Sequence, residues 1–152
     1  MAIDPTLGII GAIHTTKRYG LGTTRTDADG NIYVYMKGVA STVSGSWVTY
    51  DETFATALLV ANAIGPVAIS MSANTVATSY SWYQVYGYNE ISKSDTTAAD
   101  KPLYIDTTAG QVDDASVAGD MVFGAVSTAA DTANVLPVFI AYPFVYDGAY
   151  LT

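Results

Sequence analysis

Apolar and polar residues alternate along this chain in short runs, and turn residues separate the runs. The clearest run is Ser81 to Tyr88. There, a period of two sends Trp82, Gln84 and Tyr86 to one side and Tyr83, Val85 and Gly87 to the other. Aromatic residues on both sides predict a strand with one face in the core and the other in a second core or an interface. Ile32 to Met36 is β-branched and aromatic and predicts another strand. Just before it, Asp27-Ala28-Asp29-Gly30-Asn31 predicts a tight hairpin turn, because Gly tolerates positive φ without steric cost.

Further strands are expected at Trp47–Tyr50, Val67–Met71, Pro102–Ile105, Met121–Val126 and Val135–Val145. Val39 to Val43 reads as strand or bulge, with a turn at Ser44-Gly45-Ser46. Residues 52–61 fit a short helix or a strand equally well, since periodicity does not decide between them. Ala73–Ser79 and Asn89–Lys101 read as polar loops, and Thr107–Asp114 as a turn with its flanks. Pro137 and Pro143 lie inside the last run, which predicts edge or bulge positions at its ends. The sum is about eight to ten short strands, the pattern of an all-β antiparallel sandwich or barrel.

The first residues break this pattern. Leu7, Ile9, Ile10 and Ile13 show no clean period, and Gly8, Gly11, Gly20 and Gly22 interrupt them. Residues 1–20 therefore read as an extended N-terminal arm ahead of a β domain over 21–152, or as an ordinary first strand plus a loop. Lys17, Arg18 and Arg25 fall in or next to this segment, with the only histidine, His14.

Composition narrows the function. The net charge is −8, with 6 basic and 14 acidic residues. Nucleic acid is not an expected partner, because phosphate binding needs clustered cations. Charged residues make up 13% of the chain, against about 25% in a typical soluble domain. Tyrosine occurs 12 times, either lining a sheet or lining contacts between proteins. With so few surface charges, self-association is expected.

There is no cysteine, which excludes disulfides and thiolate metal sites. That lack of cysteine fits synthesis in the cytosol, and the opening Met-Ala-Ile-Asp-Pro lacks the basic and apolar regions of a signal peptide, so no targeting segment is expected. The most apolar stretch, Phe54 to Met71, is broken by Gly65-Pro66 and contains Asn62, so no membrane partner is expected.

Candidate chemistry is sparse. A Ser-His-Asp hydrolase needs a histidine base, and His14 lies in the arm. No Gly-x-Ser-x-Gly elbow, HExxH, P-loop or GxGxxG after a strand occurs. Asp113 and Asp114 are adjacent, so on a strand they face opposite ways. The Asp27 segment misses the EF-hand pattern, since Gly30 comes two positions early and Gly38 stands where the bidentate Glu belongs. A non-enzymatic protein without a cofactor is expected.

Several of these segments together carry a likeness. They are Gly22-Thr23-Thr24, Asp27 to Tyr35, Trp47 to Glu52, Gly65 to Met71, Trp82 to Gly87, Thr107 to Asp114 and Gly124-Ala125-Val126. In these, the chain resembles small head proteins of tailed bacteriophages that are encoded beside the major capsid protein. The likeness covers about Leu21 to Tyr146. It implies a capsid decoration, or cement, protein: β-rich, often trimeric, and seated at subunit junctions on the exterior of the virion.

The implied partners are the major capsid protein and further copies of the chain, as a homotrimer. The residues expected to make those contacts are Leu7, Ile9, Ile10, His14, Lys17, Arg18 and Tyr19 of the arm, and Arg25 just after it. Tyr83, Tyr142, Phe144 and Tyr146 are expected to do so from the β domain. The other reading is a carbohydrate- or host-surface-binding module of a tail or fibre, because exposed Tyr and Trp stack on sugars as readily as on proteins.

Overall fold

β-branched and aromatic runs become strands wherever neighbours can complete their hydrogen bonds, and here ten do so. The computed structural model describes residues 10–74, 76 and 78–147. The strands are β1 (Thr24–Thr26), β2 (Ile32–Lys37), β3 (Trp47–Tyr50), β4 (Thr56–Leu58), β5 (Gly65–Ser70), β6 (Tyr80–Lys93), β7 (Pro102–Ile105), β8 (Val112–Asp113), β9 (Met121–Ser127) and β10 (Val135–Val145). The main path runs β1-β2-β6-β5-β10-β9-β7-β8, with β3 and β4 branching from β5. All strand pairs are antiparallel. The fold is all-β, and the described residues contain no helix. In particular, none is long and apolar enough to cross a membrane.

The two long strands organise the sheet. β6 pairs with β2 through its first half and with β10 through its second, and β5 pairs with both β6 and β10. The sheet folds back on itself, because strands distant in the pairing order share one core. Trp47 of β3, Leu103 of β7, Val112 of β8 and Ile140 of β10 are all at 3% exposure or less and pack in one cluster. The hairpin between β7 and β8 is tied to β3, with Trp47 N donating to Gly110 O at 2.9 Å.

Several expectations are corrected. Residues 52–61 form β4 and its flanking turns, not a helix. Asn89–Lys101 is not loop throughout, because β6 runs on to Lys93, its polar residues held in register by β10. Val39–Val43 forms no strand and makes only an isolated bridge from Thr42 to Asn74. Strict alternation in β6 also fails. Ile32 pairs with Tyr86 while Tyr33 pairs with Gln84, so Val85 is an extra residue in a bulge. Tyr86 therefore leaves the side of Trp82 and Gln84. The prolines fall as expected: β10 shifts register between Leu136 and Val138, around Pro137, and between Ile140 and Phe144, around Pro143.

The hairpin turn forms as read. Asp27 Oδ1 accepts from the backbone N–H groups of Asp29 and Asn31, and Gly30 takes φ +84°. Asp27 Oδ2 accepts from the Tyr33 hydroxyl at 3.0 Å. Burial, then the Asp27 carboxylate, push the Tyr33 phenol up to about 12.

Candidate functional site

Cross-strand neighbours share one face of a sheet, so register alone assembles the surface of interest. Phe139 of β10 stands opposite Tyr88 of β6 and Val126 of β9, giving a row of three apolar side chains across three strands. All three are exposed. One step along, Ala141 stands opposite Tyr86, whose ring meets Phe139 edge-on at 5.7 Å. Further along, Phe144 is paired with Phe123 on one side and Pro66 on the other. The Tyr146 ring closes on Phe144 at 4.6 Å and on Phe123 at 5.8 Å. Neither β9 nor β10 contains a charged residue.

Tyr142 is the most exposed large apolar side chain on this face, at 61%. Its backbone explains why. The β10 bulge puts Tyr142 at φ +48°, a left-handed conformation that a bulky residue rarely adopts. Opposite the bulge, Gly124 takes φ +76°, and a Cβ there would come within 2.7 Å of the Ala141 carbonyl oxygen. Ala141 and Tyr142 are consequently both exposed, against the alternation of the strand. The Tyr142 ring lies 5.7 Å from Tyr86.

Beside Tyr142 the surface dips into an open cleft of about 470 Å³ lined by Tyr50, Asp51, Glu52, Phe54, Ile64, Gly65 and Pro66. Tyr50 and Phe54 stack at 6.1 Å with planes 16° apart. Burial, with a contribution from Tyr142, raises the Tyr50 phenol above its ordinary value.

The expected contact residues divide. Tyr142 and Tyr146 are exposed and Phe144 is half-buried, and all three belong to this face. Tyr83 does not: it is wholly buried, and its hydroxyl accepts from Asn74 Nδ2 at 2.8 Å. It is a core residue, and its assignment to a contact surface is withdrawn. Leu7 and Ile9 lie outside the described residues.

Of the other expected arm contacts, Ile10, His14 and Tyr19 sit against the chain's own sheet. His14 and Tyr80 exchange backbone hydrogen bonds at 2.9 and 2.8 Å. His14 Nδ1 lies 2.8 Å from the Tyr35 hydroxyl. Ile10, Tyr19 and Leu21 pack over Tyr33, Tyr35 and Trp82, with the Tyr19 ring edge-on to Tyr35 at 5.1 Å. His14 and Tyr19 thus form part of an internal aromatic cluster. Burial, then the Arg18 charge, lowers the His14 pKa. Lys17 and Arg18 remain exposed, and Arg25 is half-buried with its Nη1 unpartnered.

Sequence reasoning missed Tyr86, Tyr88, Phe139, Phe123 and the cleft. One signal was available for the cleft: Asp51-Glu52-Thr53 has the spacing of an Asx turn. Among the described residues no group of three or more His, Cys, Asp or Glu could hold a metal ion. No protein-family model, no curated protein and no solved structure matches this chain.

Proposed function

We propose that this chain is a non-enzymatic structural protein of a phage virion, a decoration protein that binds the exterior of the capsid at subunit junctions. The observation that carries the reading is the aromatic face of β6, β9 and β10, uncharged along β9 and β10 and capped by Tyr142 at 61% exposure. Large aromatic side chains supply contact area at small conformational cost, and a few such anchors dominate the energy of most protein interfaces. The resemblance of Leu21 to Tyr146 to phage head proteins supplies the partner, the major capsid protein.

The mechanism is multivalent. A homotrimer that touches several shell subunits turns weak contacts into tight attachment through effective concentration. Holding neighbouring subunits together raises the force needed to part them. About 1,600 Å² of buried surface suffices for a specific contact.

A second reading draws on the same observation. Exposed tyrosines on a sheet face also suit stacking on sugars, as in a host-surface-binding tail or fibre module. One experiment separates the two: image particles mixed with the purified chain, and screen the chain on glycans. Density at exterior subunit junctions, lost with Phe139→Lys, supports decoration. Glycan binding without capsid density overturns it.

A further inference from the structure

The cleft beside Tyr142 has a lining of two kinds. Tyr50, Phe54, Ile64 and Pro66 are apolar, while Asp51 and Glu52, both exposed, are acidic members of the lining. Neither carboxylate forms an ion pair among the described residues. Aromatic faces attract cations through their quadrupole, and a guanidinium also stacks on them. We propose that this cleft receives an arginine side chain from a protein partner, with its guanidinium against the Tyr50–Phe54 rings and its charge met by Glu52 and Asp51.

The cleft is built in advance of any ligand. Asp51 Oδ1 accepts from Thr53 N at 2.9 Å, Thr53 Oγ1 at 2.6 Å and Ala55 N at 3.1 Å, closing an Asx turn. These bonds hold the Asp51 carboxyl below its ordinary pKa, so it stays ionised at neutral pH. Phe54 N donates to Asp51 O at 2.9 Å, and Lys37 N donates to Phe54 O at 2.9 Å. Phe54 itself sits at φ +60°, an outlier for an aromatic residue. Its ring lies flush against Gly22, where a Cβ would come within 2.5 Å of Cε2. The ring therefore has little freedom to leave its stack, and a ligand pays little to order the site.

Charge selects the occupant. An apolar side chain would use the rings but leave the carboxylates idle, and a neutral sugar would give them hydroxyl hydrogen bonds but no opposite charge. An anion would be repelled by both of them and by the chain's net charge of −8. The inference rests on the decoration reading, in which the arginine belongs to a capsid subunit.

The test uses the full chain and two readouts. N-acetyl-arginine amide is titrated into isotope-labelled protein while amide shifts are followed. Saturable shifts at residues 50–54, 64 and 65 are expected, weakened at least threefold by Glu52→Gln and by raised salt. Glu52 is exposed, so that variant keeps its melting temperature. No saturable shift, or equal shifts with neutral N-acetyl-norleucine amide or a methyl glucoside, overturns the proposal. The second readout is capsid binding. If the chain binds capsids and Glu52→Gln binds equally well, the cleft inference falls and decoration stands. If the arginine probe binds but the chain ignores capsids, decoration falls and the cleft stands.

Discussion

Two aromatic regions of this molecule look alike in sequence and differ in structure. One lies on the β2–β6 side, where Tyr33, Tyr35 and Trp82 are covered by Ile10, Tyr19 and Leu21. The other lies on β6, β9 and β10, where Tyr88, Phe139 and Tyr142 remain exposed. The covered cluster satisfies its polar atoms internally: Tyr35 meets His14, and Tyr33 meets Asp27. The uncovered face presents its tyrosines to the outside and keeps Tyr142 there by a strained backbone. A count of tyrosines therefore predicts neither core nor interface. What separates them is whether the chain supplies a lid and a partner for each hydroxyl.

The comparison breaks most visibly at Trp82. It is 1% exposed and packs between the rings of Tyr35 and Tyr19. Trp82→Ala should lower the unfolding free energy by about 3–5 kcal/mol, read by denaturant titration. On the uncovered face Phe139→Ala should cost less than about 1 kcal/mol, yet lower partner binding at least about tenfold. If the two substitutions destabilise equally, the distinction between lid and bare face is wrong.

A finer cut removes one oxygen. Tyr35→Phe keeps the ring and takes away the partner of His14 Nδ1. A loss of about 1–2 kcal/mol is expected, most of it from leaving a buried polar atom unpaired. Hydrogen exchange at His14 and Tyr80, whose amides bond across the segment, should speed up while β9 and β10 stay protected.

How far the sequence foretold this division can be judged from particular residues. The Asp27–Asn31 turn, β2, and β10 with its two proline bulges were legible, because local sterics set them. The site was legible only in part. Tyr142, Phe144 and Tyr146 were read as contacts, and Tyr83 was misread. Tyr83 packs in the core with Val34, Met36, Val48 and Ala68, and its hydroxyl is met by Asn74, a partner nine residues away across a loop, which no period reveals. The Val85 bulge moved Tyr86 to the other face, and a strict period of two has no means of showing a one-residue insertion. Phe54 at positive φ depends on Gly22, more than thirty residues earlier, and that contact is tertiary.

The next test sharpens the bare face by improving stability while removing binding. Tyr142 carries the cost of a left-handed backbone, of the order of 1 kcal/mol or more. Because the side chain is exposed, few contacts repay that cost in the isolated chain. Tyr142→Gly should therefore raise stability by about 0.5–1 kcal/mol and still weaken binding to the proposed partner at least about tenfold. A variant that melts earlier would mean that the ring stabilises the isolated fold, and the face would lose its claim to be kept for a partner.

The smallest effect expected comes from pH, and it divides the molecule again. His14 lies in the covered cluster, facing Arg18, Tyr19, Tyr35 and Tyr80. Its folded pKa is lowered below 6.5, so below pH 6.5 the unfolded chain takes up a proton that the folded chain refuses. Stability therefore falls as pH drops from 6.5 through the folded value, and the lid over Trp82 loosens first. Asp113, beside Asp106 and Asp114 on the β7–β8 hairpin, runs the other way. Burial is the main cause that pushes it up to about 6, against 3.8 ordinarily. Its protonated form is the one the fold favours, so this contribution is complete below pH 3.8 and is lost as pH rises through about 6. Acidification from pH 7 to 5 should thus lower the protection factors (exchange relative to the intrinsic rate at the same pH) at His14 and Tyr80 and raise them at Tyr104 and Asp113. Neither titrating group lies on the aromatic face, so protection factors at Phe139 and Tyr88 should not move. Equal responses in all three places would mean that the covered cluster and the bare face open as one unit, and the comparison would have no thermodynamic content.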